Sequence, residues 1–194
     1  GFAGYTTNEG VNFSPLSIPN SLELLGIGYN GTDQVIGGLH ANGENGIMYT
    51  ATASAGPWTD VSLMRTAADL TCGQYINATG SFVAGRVGVL LHSIDNGDTW
   101  ATRPTGTTWD FIDMAWRDSE NGIAILDSLN LGVKGVLRHT TDGGRTWLPL
   151  ENLPSSNLKD LYLYENGSIA KVLAVGSNGR ILRIFMGNGT AGFA

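Results

Sequence analysis

The sequence predicts an all-β fold of repeated four-stranded antiparallel units. Three observations carry that reading. The first is composition: 28 of 194 residues are Gly, 42% are hydrophobic and 14% are charged, a balance that suits sheets joined by tight turns. The second is a short pattern written twice, Ser93-Ile94-Asp95-Asn96-Gly97-Asp98-Thr99-Trp100 and Thr140-Thr141-Asp142-Gly143-Gly144-Arg145-Thr146-Trp147. Both copies place a hydroxyl, an Asp, a Gly and a Trp at the same offsets. The third is a period. Trp58, Trp100 and Trp147 are spaced by 42 and 47 residues, and Phe13 lies 45 before Trp58. Gly46, Gly88 and Gly135 each open a β-type run 12 residues before its Trp, and Gly1 stands 12 before Phe13.

The repeated pattern has a physical reading. Asp-Asn-Gly and Asp-Gly-Gly are hairpin-turn sequences, because Asn and Gly accept the positive φ of a tight turn. The carboxylates of Asp95 and Asp142 are placed to accept turn N–H groups. Gly97 and Gly144 free the backbone, and Trp100 and Trp147 supply apolar plates over each hairpin. These residues resemble the Asp-box (BNR) repeat of sialidases, related β-propellers and photosystem II assembly factors. The resemblance implies a propeller in which each box closes the hairpin between the third and fourth strands of a blade. It also implies that the box is structural and lies away from any ligand. A period of 40 to 50 residues points the same way.

Taken in order, residues 1–17 read as a lone hairpin. Thr6–Phe13 is a degraded box with Asn8 for Asp and Phe13 for Trp, and Ser14–Asn20 is a connector. Four blade repeats follow, at 21–63, 64–105, 106–154 and 155–194. Their first strands are expected at Leu22–Tyr29, Ala68–Ile76, Trp109–Trp116 and Leu158–Tyr164. The first repeat's box, Thr52–Trp58, is one residue short and lacks the Asp. The last repeat departs from the pattern after Met186. Four first-and-second-strand pairs thus face five copies or remnants of the outer hairpin. Closure by the spare N-terminal hairpin removes an exposed edge, giving one domain of four blades. The alternatives are five blades, part of a larger propeller, or a ring completed by a neighbouring chain in a homo-oligomer.

The charge balance excludes some functions. Net charge is −6, which argues against bulk nucleic-acid binding. No apolar run is long enough for a membrane helix. The single Cys72 forms no internal disulfide and sits in an apolar run as a small hydrophobe. Metal and cofactor sites are not expected: Asp95–Asp98 lacks the ligand count of a calcium loop. His92 and His139 occupy matching repeat positions, as packing residues would, instead of converging on zinc. Gly26-Ile27-Gly28 has no following helix to bind a dinucleotide.

The resemblance raises sialidase-like glycoside hydrolysis, which needs three converging Arg, a Tyr–Glu pair and an Asp acid. The chain is far shorter than a sialidase domain, and Arg145 lies inside a box turn. The expectation is therefore a non-enzymatic interaction or structural module without catalytic residues. It binds a glycan or protein partner, in an extracellular, cell-surface or viral-particle setting. An assembly-factor role is the rival binding reading. Trp109, Trp116, Tyr162 and Tyr164 lie on first strands and are expected to plug the central channel. The partner face is expected at the loops between second and third strands. These carry His40, Arg86, Lys134 and Arg180, one basic or titratable group per repeat. Together they would focus a local positive potential on an anionic glycan or an acidic protein surface.

Overall fold

The computed structural model describes residues 4–15, 23–29, 35–40, 47–51, 58–60, 68–128, 131–150, 157–166, 169–186 and 191–193. These form an N-terminal hairpin and, among the described residues, four antiparallel four-stranded sheets. The hairpin is β1 (Gly4–Tyr5) and β2 (Ser14–Pro15). Sheet one is β3 (Glu23–Tyr29), β4 (Val35–His40), β5 (Ile47–Ala51) and β6 (Thr59–Asp60). Sheet two is β7 (Leu70–Tyr75), β8 (Ser81–Gly85), β9 (Leu90–Ser93) and β10 (Ala101–Thr102). Sheet three is β11 (Asp110–Trp116), β12 (Gly122–Ser128), β13 (Val133–Thr140) and β14 (Leu148–Pro149). Sheet four is β15 (Leu158–Asn166), β16 (Ile169–Gly176), β17 (Arg180–Met186) and β18 (Ala191–Phe193). Each sheet is a simple meander in chain order, which needs only short antiparallel connections.

The two full boxes fold into the same turn. In the first, the Ser93 hydroxyl donates to Asp95 Oδ1 (2.8 Å) and accepts from the Gly97 N–H (2.9 Å). Asp95 Oδ1 accepts from the Thr99 N–H (2.9 Å), and the Trp100 indole N–H donates to the Gly97 carbonyl (2.9 Å). In the second, Thr140, Asp142, Gly144, Thr146 and Trp147 repeat those bonds at 2.8, 2.9, 2.9 and 3.0 Å. Burial opposes ionisation of Asp142, but hydrogen bonds from Thr146, Thr140 and Arg145 outweigh it and bring the carboxyl down to about 2. The N-terminal remnant keeps the frame: Thr6 donates to Asn8 Oδ1 and accepts from the Gly10 N–H, while Asn8 Oδ1 accepts from the Asn12 N–H. Phe13 has no indole N–H to close it and stands exposed. The degraded box at 52–57 lies outside the described residues.

Three expectations change. First, residues 4–15 form the expected hairpin, but the edge beside β17 is occupied by the chain's own β18. Among the described residues the N-terminal hairpin does not supply that strand. Second, the run expected to open at Gly88 starts later: Arg86–Gly88 is a tight turn with Val87 at φ 56, and β9 begins at Leu90. The Val87 N–H is held by Asp110 Oδ1 (2.9 Å), which offsets the strain of a β-branched residue at positive φ. Third, Trp116 does not plug a channel. It is buried between sheets two and three, stacked on Phe82 with ring centroids 3.8 Å apart. Tyr162 and Tyr164 are exposed. Where a first strand lies between two sheets it presents a face to each, so its large residues become mortar between them.

The core follows from one register. Cys72, Gln74, Phe82, Ala84, Leu90 and His92 are linked by cross-strand pairing on one face of sheet two. Asp113, Ala115, Ile123, Ile125, Leu137 and His139 hold the same places in sheet three. The first set packs on Phe111, Met114 and Trp116 of the next sheet, the second on Leu158, Leu161 and Val172 of the sheet after. Burial lowers the pKa of both His92 and His139, and for His92 the charges of Arg103 and Arg145 add to it. This agrees with a packing role for the pair. Sheet one lies close to sheet two: a Cβ on Gly26 would come 2.8 Å from the Cys72 Cα, so only glycine lets β3 approach β7 this closely.

Candidate functional site

Every first strand carries a β-bulge at the same place. The register slips at Leu24/Gly26, Leu70/Cys72, Phe111/Asp113 and Leu158/Asp160. A bulge leaves one residue out of the ladder and re-aims its neighbours. The four bulges converge: Leu25, Thr71, Ile112 and Lys159 all line one open pocket of about 210 Å³, with Gly26, Cys72, Asp113 and Asp160 beside them. The sequence carries no common residue at the bulge, and strict alternation over Trp109–Trp116 hides it.

The pocket joins the sheets chemically. The Thr71 hydroxyl donates to the Phe111 carbonyl of the next sheet (2.5 Å). The Leu161 N–H is shared between Asp113 Oδ2 (2.6 Å) and Asp160 Oδ1 (3.1 Å). Burial pushes the Asp113 carboxyl up to about 7; the Leu161 N–H pulls it back, and the adjoining Asp160 carboxyl raises it further. Burial, and then the Asp113 charge, push the Cys72 thiol well above its ordinary value, so it is an inert packing group.

A pH dependence follows. The Asp113 pKa is raised on folding, so its contribution to stability is fully present below its unfolded value near 4. That contribution is lost as pH rises through about 7. Asp113→Asn preserves the acceptor for Leu161 and removes the titration. Urea unfolding at about pH 5 and about pH 8 should show wild type losing on the order of 2 kcal/mol that the variant keeps. Equal pH slopes for the two proteins would contradict this.

Of the four residues expected on the connections between second and third strands, only Arg86 lies on one; His40, Lys134 and Arg180 lie in β4, β13 and β17, at the strand ends beside those connections and at the same end of the sheets as the bulges. Arg86 follows β8 and is ion-paired with Asp69 at 3.3 Å while remaining half exposed. Lys134 is exposed beside Gly135, whose N–H is held by the Asp127 carboxylate. Arg180 opens β17. His40 ends β4, its backbone opposite Glu23; its side chain lies outside the described residues. The places are not all equivalent. Gly85 and Gly176 introduce matching turns, Arg86-Val87-Gly88 and Ser177-Asn178-Gly179. Ser177 therefore takes the place of Arg86, and Arg180 that of Val89. The box turns lie at the opposite end, where the Asn96 N–H donates to the Thr79 carbonyl of the β7–β8 turn (2.8 Å).

Three arginines belong to the scaffold. Arg103 donates to the Gly143 carbonyl (2.7 Å), Arg138 to the Trp147 carbonyl (3.2 Å) and Arg145 to the Asp142 carbonyl (2.6 Å). Among the described residues no group of three His, Cys, Asp or Glu side chains forms a metal set. Nor is any helix there long and apolar enough to cross a membrane.

No protein-family model and no curated protein matches the chain. Solved structures do match. YCF48 from Cyanidioschyzon merolae aligns with TM-score 0.67 at 17% identity over 93% of this chain and 62% of its own. YCF48 bound to D1 peptide aligns with TM-score 0.65 at 14% identity over 98% and 59%. An ancestral GH74 enzyme aligns with TM-score 0.73 at 12% identity over 97% of this chain and 29% of its own. The chain thus spans less than two thirds of the length of these structures. At such identities the likeness concerns architecture alone, and with the four antiparallel meanders it makes the fold a β-propeller type.

Proposed function

We propose that the chain is a non-enzymatic binding module whose four sheets are consecutive propeller blades. It takes a segment of a protein partner at the end where the bulges and the second-to-third-strand turns meet. The observation that carries this reading is the convergence of all four bulges on one open pocket. Scaffolds commonly present binding groups on loops at one end of rigid sheets. His40, Arg86, Lys134 and Arg180 supply the rim, Asp113 and Asp160 the floor. One structural neighbour is a complex with a peptide, which supports the assembly-factor type of reading over the glycan one.

Hydrolysis fits this floor poorly. Glycoside hydrolysis by two carboxyls needs them about 5–9.5 Å apart, with the bond to be broken between them. Asp113 and Asp160 instead touch through a shared hydrogen bond. The boxes are structural staples in the same reading. The setting proposed is extracellular, cell-surface or viral.

The test is an array of extended peptides and of carboxylated and sulfated glycans, followed by titration of the best binder. The double change Arg86→Ala with Arg180→Ala should weaken a peptide binder by about tenfold, and more at low salt than at high salt. Unchanged affinity removes this face from consideration. Steady hydrolysis of a reporter glycoside in proportion to protein concentration overturns the non-enzyme reading.

A further inference from the structure

The six positions that face the next blade in sheets two and three have counterparts in sheet four. They are Asp160, Tyr162, Leu173, Val175, Ile181 and Arg183, paired in the same register. In sheet three the apolar members are sealed by the following sheet; in sheet four they face outward. Leu137 is 4% exposed and its counterpart Ile181 69%; Ile123 is 0% exposed and its counterpart Leu173 39%. The opposite end of the molecule shows the complement. Ile27 and Tyr29 of β3 hold the places of Met114 and Trp116 in β11, by register from the shared bulge. Met114 is 5% exposed against the preceding sheet, whereas Ile27 is 68% exposed. Among the described residues the molecule thus ends in two different apolar surfaces, each of the kind that its interior buries against the other.

We propose that these faces join head to tail: sheet four of one copy docks on sheet one of a second copy, in the manner of the internal sheet–sheet contacts. Two observations select a second copy. The faces are complementary halves of an interface that the chain already builds internally, so continuity with that packing supplies the geometry. The repeats that carry the two faces are also opposite in charge. Residues 21–63 carry Glu23, Asp33, Glu44 and Asp60 and no Lys or Arg, a net −4. Residues 155–194 carry Lys159, Lys171, Arg180 and Arg183 against Asp160 and Glu165, a net +2. On the sheet-four face the Lys171 ammonium lies 5.5 Å from the Tyr164 ring and the Arg183 guanidinium 5.3 Å from the Phe185 ring. Cations there are draped over aromatic surface, ready to meet an acidic partner. Such an interface is heterologous, so it closes a ring or extends according to its rotation.

Seven residues separate β2 from β3, as seven separate β10 from β11. The incoming copy's N-terminal hairpin is therefore delivered to the rim of the sheet that β18 edges. The hairpin contributes no residue to either face, so its removal leaves the interface intact.

Sedimentation velocity of the whole chain over a concentration series tests this. Wild type should self-associate, more weakly at high salt. Ile27→Glu and Ile181→Glu are exposed changes that alter opposite faces, and each should weaken association by about tenfold or more. Mixed together, the two variants should form 1:1 pairs that neither forms alone, because each retains the face the other has lost. Deleting residues 1–17 should leave association in place. A wild type that stays monomeric at every concentration overturns the proposal. So does loss of association with Ile181→Glu but not with Ile27→Glu, which would mean that like faces pair. Association indifferent to salt and to both changes overturns it as well, whether or not either variant is impaired in folding.

Discussion

Trp116→Ala is expected to cost about 3–5 kcal/mol of stability, the range for removing a large aromatic side chain from a packed core. The indole is 1% exposed. It stacks on Phe82 at an interplanar angle of 8° and meets Trp147 edge-on with centroids 5.7 Å apart. Its N–H points to the Met114 sulfur at 3.1 Å. The Gln74 side chain brackets its backbone, donating to the Trp116 carbonyl (3.0 Å) and accepting from its N–H (2.7 Å). The ring therefore belongs to two sheets at once, and its loss opens a void that neither can fill alone. Urea unfolding measures the effect, with Trp116→Phe falling between wild type and alanine. A loss below about 1 kcal/mol would show that the interface collapses around the gap.

Gly88→Ala and Gly135→Ala are expected to cost at least about 3 kcal/mol each, because two penalties act together. Their φ values are +72 and +60, and an added Cβ would lie 1.9 Å from the Thr107 carbonyl oxygen and 2.1 Å from the Leu158 N. The obstacles are backbone of the connection to the next sheet in one case and of the next sheet's first strand in the other, so relief requires moving a neighbouring sheet. Gly132 is the internal control, with φ +65 but nothing within 4 Å of its would-be Cβ. Gly132→Ala should cost only the conformational strain, about 1 kcal/mol. Denaturant midpoints of the three variants separate crowding from strain; equal losses would show that φ alone sets the cost.

The outer half of sheets two and three was legible because its chemistry is local. The hydroxyl, Asp, Gly and Trp of a box bond within a few residues, so their spacing survives in the sequence as a ruler. The inner half was less so. The bulged residues Leu25, Thr71, Ile112 and Lys159 share no side-chain chemistry, since a bulge is a property of backbone register. Asp113 consequently read as one more alternating strand residue, and its approach to Asp160 in the next sheet was hidden. Arg86 and Arg180 read as equivalent because both adjoin a turn glycine. The turns show them three places apart, a difference carried by φ at Val87 and Asn178. Trp116 was placed on the right strand but assigned to the axis, because sequence alone does not say which face of a strand meets a neighbouring sheet.

The shared register of the sheet faces has a thermodynamic consequence. The first strands adjoin in sequence, β3 with β7, β7 with β11 and β11 with β15. Each interior sheet spends one face on its predecessor and the other on its successor. The free energy of such an array is a sum of unit and nearest-neighbour terms, like that of a linear chain of coupled spins. Its interior sheets gain two couplings and its terminal sheets one. Opening therefore starts at the ends and travels inward, and the same substitution weighs about twice as many couplings in sheet two or three as it does in sheet one or four.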